Sequence, residues 1–230
     1  MKFIKLLILL MVSGLCFAQY SDHQLYQAYL AKDMPTWGKH IASTKWNTLN
    51  VAEQKRLLNY EYGYTAYVIS QKAKNAEQVL SQFETHLQSL KGKINTGEYH
   101  AYMTGLYSFK LALDRLHIVS YATSLFDHNK QAAKLAPQNP FVVAMQGNVE
   151  FYNPMGSKRK ALDYYRCAEK LLLAQRDYPL WNLRTVQMNI VYCLHKMGNQ
   201  AEALQTCKRY IDDEPGSLIF NELLQSITKK

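Results

Sequence analysis

Seven histidines are the first residues to weigh, because imidazole serves both as a metal ligand and as a general base. His23, His40, His86, His100, His117, His128 and His195 include no pair three or four residues apart. Without that spacing no single helix face presents two imidazoles, and neither HExxH nor a cysteine–histidine ligand pattern occurs. No metal site is therefore expected. Serine hydrolase chemistry needs a GxSxG elbow leaving a strand, and the chain has none. Gly156-Ser157-Lys158 lacks the upstream glycine of a phosphate loop, and GxGxxG is absent, so no cofactor is expected either. The carboxylates are scattered, apart from Asp212-Asp213-Glu214 at an expected helix end. No catalytic residue is assigned, and the chain reads as non-enzymatic.

One local cluster has chemical potential. Ser157 can cap the helix that follows it, and Lys158, Arg159 and Lys160 then fill its first turn. Cations there oppose the helix dipole at about 0.3–1 kcal/mol each. Together with the free N–H groups of the helix they form a candidate site for a phosphate or carboxylate. The alternative is a solvated basic turn. Cys167, Cys193 and Cys207 fit neither zinc nor CxxC spacing. Cys193 and Cys207 are read as buried small hydrophobes, with a bridge between them as the alternative in an oxidising compartment.

The elements that must position these groups are helical. Of 230 residues, 48% are hydrophobic and 20% charged, while glycine and proline number only 10 and 6. This is a globular composition poor in turns, and no stretch alternates with period two. Lys2 and Lys5, the apolar run from Leu6 to Val12, and Cys16-Phe17-Ala18 read as a signal peptide over residues 1–18. Leu15 is a poor residue to precede a lipidated Cys16, so lipoprotein anchoring is not expected. The run is too short for a comfortable membrane span, and the mature chain is expected to carry no transmembrane domain. Losing Lys2 and Lys5 lowers the formal charge from +9 to +7, a basic surface that favours anionic partners. Export argues against nucleic acid.

Breakers such as Asp33-Met34-Pro35, Asn95-Thr96-Gly97, Pro137 to Pro140 and Gly198-Asn199 divide residues 19–230 into hairpins. The spacing predicts pairs over 21–49, 51–91, 98–136, 140–176 and 179–214, and a capping helix over 217–228. That cap carries Leu218, Phe220, Leu223, Leu224 and Ile227 toward the last pair. Gly198, Ala203 and Pro215 close a first helix, admit a second and end it. Gly147 stands at a close helix approach, and Ala161, Tyr165 and Ala168 follow on the next helix.

These last spacings resemble the tetratricopeptide repeat, most clearly over 140–176 and 179–214, with degenerate pairs across 21–136. The leader, Trp37 and the string Asn139-Pro140, Gly147, Pro154, Gly156, Ala161 are similar to small exported tetratricopeptide proteins of Bacteroidota-type bacteria. The resemblance implies an all-α, right-handed superhelix of about five hairpins plus a cap. It further implies a partner groove on the first helices, at Asn148, Phe151, Tyr152, Met188, Tyr192, His195 and Lys196. The family's carboxylate clamp needs Lys, Asn and Arg on three successive first helices, and only Asn148 matches. The resemblance thus implies an exported adaptor or scaffold of the bacterial envelope, periplasmic or secreted, holding another envelope protein or peptide. A homo-oligomer is compatible with this. The alternative is a periplasmic small-ligand-binding or transporter-accessory protein with a pocket between its helices.

Overall fold

The computed structural model describes residues 20–114, 116–175 and 178–229. The leader expected over 1–18, with Cys16, lies outside these residues, as does position 176 at the end of one expected hairpin. Among the described residues the chain is all helical: eleven α-helices, one short 3-10 turn and no strand. The helices pair as α1 (Asp22–Leu30) with α2 (Met34–Ser43), α3 (Val51–Ser70) with α4 (Ala76–Ser89) and α5 (Thr96–Leu113) with α6 (Ile118–Leu135). Then come α7 (Pro140–Tyr152) with α8 (Lys158–Ala174), α9 (Leu180–Lys196) with α10 (Gln200–Asp213), and the cap α11 (Leu218–Thr228). Neighbours pack in series, which makes an α-solenoid.

Local chemistry sets the helix starts. Ser21 with Gln24, and Asn50 with Glu53, form reciprocal capping boxes at α1 and α3. Asn95 caps α5, and Asn139 caps α7 ahead of Pro140 at its first turn. Gly198 closes α9 with φ +80°, the left-handed conformation its position called for. Gly147 needs its missing side chain: a Cβ there would lie 2.7 Å from the Tyr165 ring, which is fully buried. In α11, Leu218 is exposed and Ile219 takes the buried place, with Phe220, Leu223 and Ile227 as expected.

The first helices of the hairpins form the inner layer: α3 packs on α5, α5 on α7 and α7 on α9. Successive first helices begin at residues 51, 96, 140 and 180. These steps of 45, 44 and 40 residues exceed the tetratricopeptide unit of about 34.

The array closes on itself. Helix α1 packs against α9 and α11, so one hydrophobic core joins residues from both ends of the chain, from Leu25 and Trp37 to Trp181 and Phe220. Trp37 and Trp181 meet edge to face at 5.3 Å, and Gly63 of α3 fits against both. Polar contacts fasten the seam. Arg184 donates to the Tyr26 hydroxyl at 2.8 Å and to Glu214 at 2.7 Å, and Tyr26 itself donates to Glu214. Lys32 pairs with Glu222. A second core, from Leu58 to Met145, fills the opposite arc.

Candidate functional site

Closure leaves little room in the groove. Between α3, α7 and α9 the residual cavity, lined by Tyr62, Asn148, Trp181 and Asn189 among others, holds about 50 Å³. Larger space lies where the inner helices begin. A cleft of about 580 Å³ opens between the starts of α1 and α3, the end of α2 and the segment leading into α9. Its walls include Tyr20, Asp22, His40, Lys55, Arg56, Asn59, Tyr60, Tyr102 and Tyr178.

Behind the cleft wall at Asn59 lies a buried amide pair. Asn59 and Asn182 donate to each other's side-chain oxygens, at 3.2 and 2.8 Å, and Asn59 also donates to the Tyr102 hydroxyl. Two further pairings tie the walls together. Tyr178 donates to Glu98 Oε1 at 2.8 Å, while Lys55 Nζ lies 2.9 Å from Glu98 Oε2. Glu98 is almost wholly buried in the first turn of α5, where the helix dipole favours its charge. Nearer solvent, Arg56 pairs with Asp22, whose Oδ1 also accepts from Tyr60 at 2.9 Å.

Burial pushes the Tyr60 and Tyr102 phenols up, so both stay protonated and able to donate. Burial also holds His40 below its ordinary value, so at neutral pH it is the uncharged imidazole. Its Nδ1 is buried with no hydrogen-bond partner, and the ring lies edge-on to Tyr20 and Tyr60. The cleft is therefore walled by the exposed Arg56–Asp22 pair, by Lys55 held on Glu98 and by several phenols, with the Asn59 amide already satisfied and the unpartnered His40 nitrogen buried behind the wall.

No family model, curated protein or solved structure matches the chain. Among the described residues, no helix is long and apolar enough to cross a membrane.

The residues singled out from the sequence fall elsewhere. Asn148 accepts from the Tyr165 hydroxyl at 2.7 Å, and Met188 Sδ receives the Tyr29 hydroxyl at 3.6 Å. Phe151 and Tyr192 are half-buried against the first core, while Tyr152 remains 71% exposed. His195 Nδ1 lies 2.8 Å from Gln200 Oε1, and Lys196 faces solvent. Of the expected groove residues, Asn148, Met188 and His195 have hydrogen-bond partners within the chain, while Tyr152 and Lys196 remain exposed.

The basic turn is also dispersed. Ser157 caps α8 through the Lys160 N–H as its sequence implied. Its own N–H, however, donates to Glu150 at 2.9 Å, so a carboxylate of this chain holds that position. Lys158 folds back onto the Phe151 carbonyl and ring. Arg159 and Lys160 stay exposed. Cys193 and Cys207 are separate buried thiols, pushed up by burial to about 12 and about 11, and Cys167 is exposed.

The cleft residues escaped the sequence reading because each looks ordinary alone. Tyr60 and Tyr102 sit at core spacing, and Asn50-x-x-Glu53 signals only a helix start. The available hint was amides at core-facing helical positions: Asn59 and Asn182 are 2% and 7% exposed. A buried amide demands a partner, and that partner came from 123 residues away.

Proposed function

We propose that this chain is an exported, non-enzymatic binding protein of the envelope that holds a small polar ligand in the cleft at the start of its inner helices. The observation that carries this reading is an open cleft of about 580 Å³ with a half-exposed ion pair in its wall and, at Asn59, a base whose amide is satisfied internally. Such a base stays rigid without a ligand, and the walls supply the recognition. The opposed charges favour a ligand bearing both signs, an amino acid or a short peptide. Its carboxylate replaces Asp22 on Arg56, and its ammonium replaces Arg56 on Asp22. Both partners of that pair are about half exposed, and such pairs contribute only about 0–1 kcal/mol, so the exchange costs little. The phenols of the wall are available to bond the remaining polar groups. Lys55 and Glu98 are committed to each other, which leaves them to shape the cleft rather than to drive a reaction.

The test is thermal unfolding of the chain from residue 19 against amino acids, short peptides and neutral sugars. A ligand at 100 times its dissociation constant adds about 2.7 kcal/mol. The reading predicts saturable stabilisation by zwitterions and its loss in Arg56→Ala, a partly exposed change that spares the fold. Stabilisation by neutral sugars alone would replace the zwitterion with a polyol. A flat response across the panel would remove the reading.

A second reading, an adaptor for another envelope protein, draws on one observation. Leu116, Ile118, Val119 and Phe126 are exposed around the start of α6 at 92%, 54%, 78% and 46%, an apolar surface suited to a protein partner.

A further inference from the structure

A second cavity lies apart from the cleft, between α2, α3 and the start of α4. It holds about 180 Å³ and is bordered by Ile41, Ala42, Glu61, Tyr64, Asn75 and Gln82 among others. Glu61 is 2% exposed. Its Oε1 receives the Gln82 amide at 3.1 Å and lies 2.7 Å from His86 Nδ1. His86 is held in place by stacking on Trp46 at 3.9 Å with the rings 4° from parallel. The other carboxylate oxygen, Oε2, is buried and has no hydrogen-bond partner. A buried carboxylate oxygen left unpaired is costly, and Glu61 is the only acidic or basic side chain in the cavity wall.

We propose that this cavity is a binding site for a primary ammonium group on a short apolar chain, with Glu61 as its counter-ion. The ammonium meets the unpaired Oε2 and has acceptors available in the Tyr64 hydroxyl and the amides of Asn75 and Gln82. The hydrocarbon lies against Ile41 and Ala42. A divalent metal fits less well, because Ca²⁺ takes six to eight oxygen ligands that normally include several carboxylates, and this wall has one. The volume suits a small amine and excludes a folded partner. This site is independent of the zwitterion cleft, which lies among Asn59 and Tyr60 rather than Glu61 and Tyr64.

The experiment is a titration of the whole folded chain with n-pentylammonium, followed by protein-observed NMR, with n-pentanol as the uncharged control at matched ionic strength. The amine is expected to saturate and to shift signals of Gly38, Glu61, Tyr64 and Gln82, while the alcohol does not. Glu61→Gln keeps an oxygen for His86 and Gln82 but removes the charge, and is expected to weaken binding at least about tenfold. Gly38→Ala provides a second variant that leaves Glu61 untouched. A Cβ there would come 2.5 Å from the Tyr64 hydroxyl, which must move, and amine affinity is expected to fall. Equal binding of pentanol, unchanged affinity in a folded Glu61→Gln, or no saturable amine binding by the wild type would each overturn the proposal.

Discussion

Ring closure can be tested by uncoupling its clamp. Tyr26, Arg184 and Glu214 share three hydrogen bonds across the seam, although Tyr26 and Glu214 stand 188 residues apart. The Arg184 and Glu214 side chains are only 12% and 22% exposed. Burial and the bond to Glu214 push the Tyr26 phenol up to about 12, so it acts as a donor throughout the physiological range. Glu214→Ala leaves a largely buried guanidinium without its counter-charge. Breaking a fully buried pair costs about 3–5 kcal/mol, and the residual exposure here lowers that to about 2–3. Tyr26→Phe removes a hydroxyl bonded to two charged groups, and each such bond is worth about 1.5–3 kcal/mol. Part of that is recovered when the ion pair persists, leaving a loss of about 1–2. Because both substitutions dismantle the same clamp, the double variant should fall short of their sum by about 1 kcal/mol. Urea unfolding followed by circular dichroism measures all four corners of the cycle. For a chain of this size, the Glu214→Ala loss corresponds to a Tm lower by roughly 5–10 °C. Additivity within about 0.5 kcal/mol would show that the two ends do not meet in solution.

Three further outcomes follow from the same structure. Gly147→Ala drives a methyl against the immobile Tyr165 ring and should destabilise by about 1–3 kcal/mol in urea unfolding. His40, His100 and His128 are all held below their ordinary values, by burial first. Stability is then full above the unfolded value of about 6.5 and is lost as pH falls, because the unfolded chain binds protons that the folded one refuses. The His100 and His128 Nδ1 atoms, 2.7 Å apart, share one proton, so His128→Asn should flatten the fall in Tm between about pH 7 and pH 5. Against a thiol reagent, Cys167 should react in the native protein, while Cys193 and Cys207 react only on unfolding; fast labelling of all three would contradict their burial.

The hairpin pattern was legible because it is local. Each expected pair boundary falls close to an observed one, since Asn50, Asn139, Gly198 and Ser157 act within a turn of themselves. Within the third pair the break follows Leu113, and α6 begins at Ile118. Closure was not legible, because helical periodicity assigns Tyr26, Trp37 and Trp181 to a core without saying whose. The inner helices also carry a periodic mark of their own. Glycines at 63, 105 and 147 recur every 42 residues on the inner helices and mark close approaches to Trp37 and Trp181, Tyr62 and Tyr165. The cleft depended on closure, so Asn59 and Asn182 could not be joined from spacing alone.

Two spaces compete for a ligand, the open cleft and the groove along the inner helices. The most direct measurement is a residue-resolved NMR titration of the folded chain with an unblocked dipeptide such as alanyl-alanine. Binding in the cleft predicts that saturable shifts gather at Asp22, Arg56, Tyr60 and Tyr178, and that Asn148, Phe151, Met188 and Tyr192 stay still. Shifts centred on those four groove residues, with the cleft silent, would contradict it.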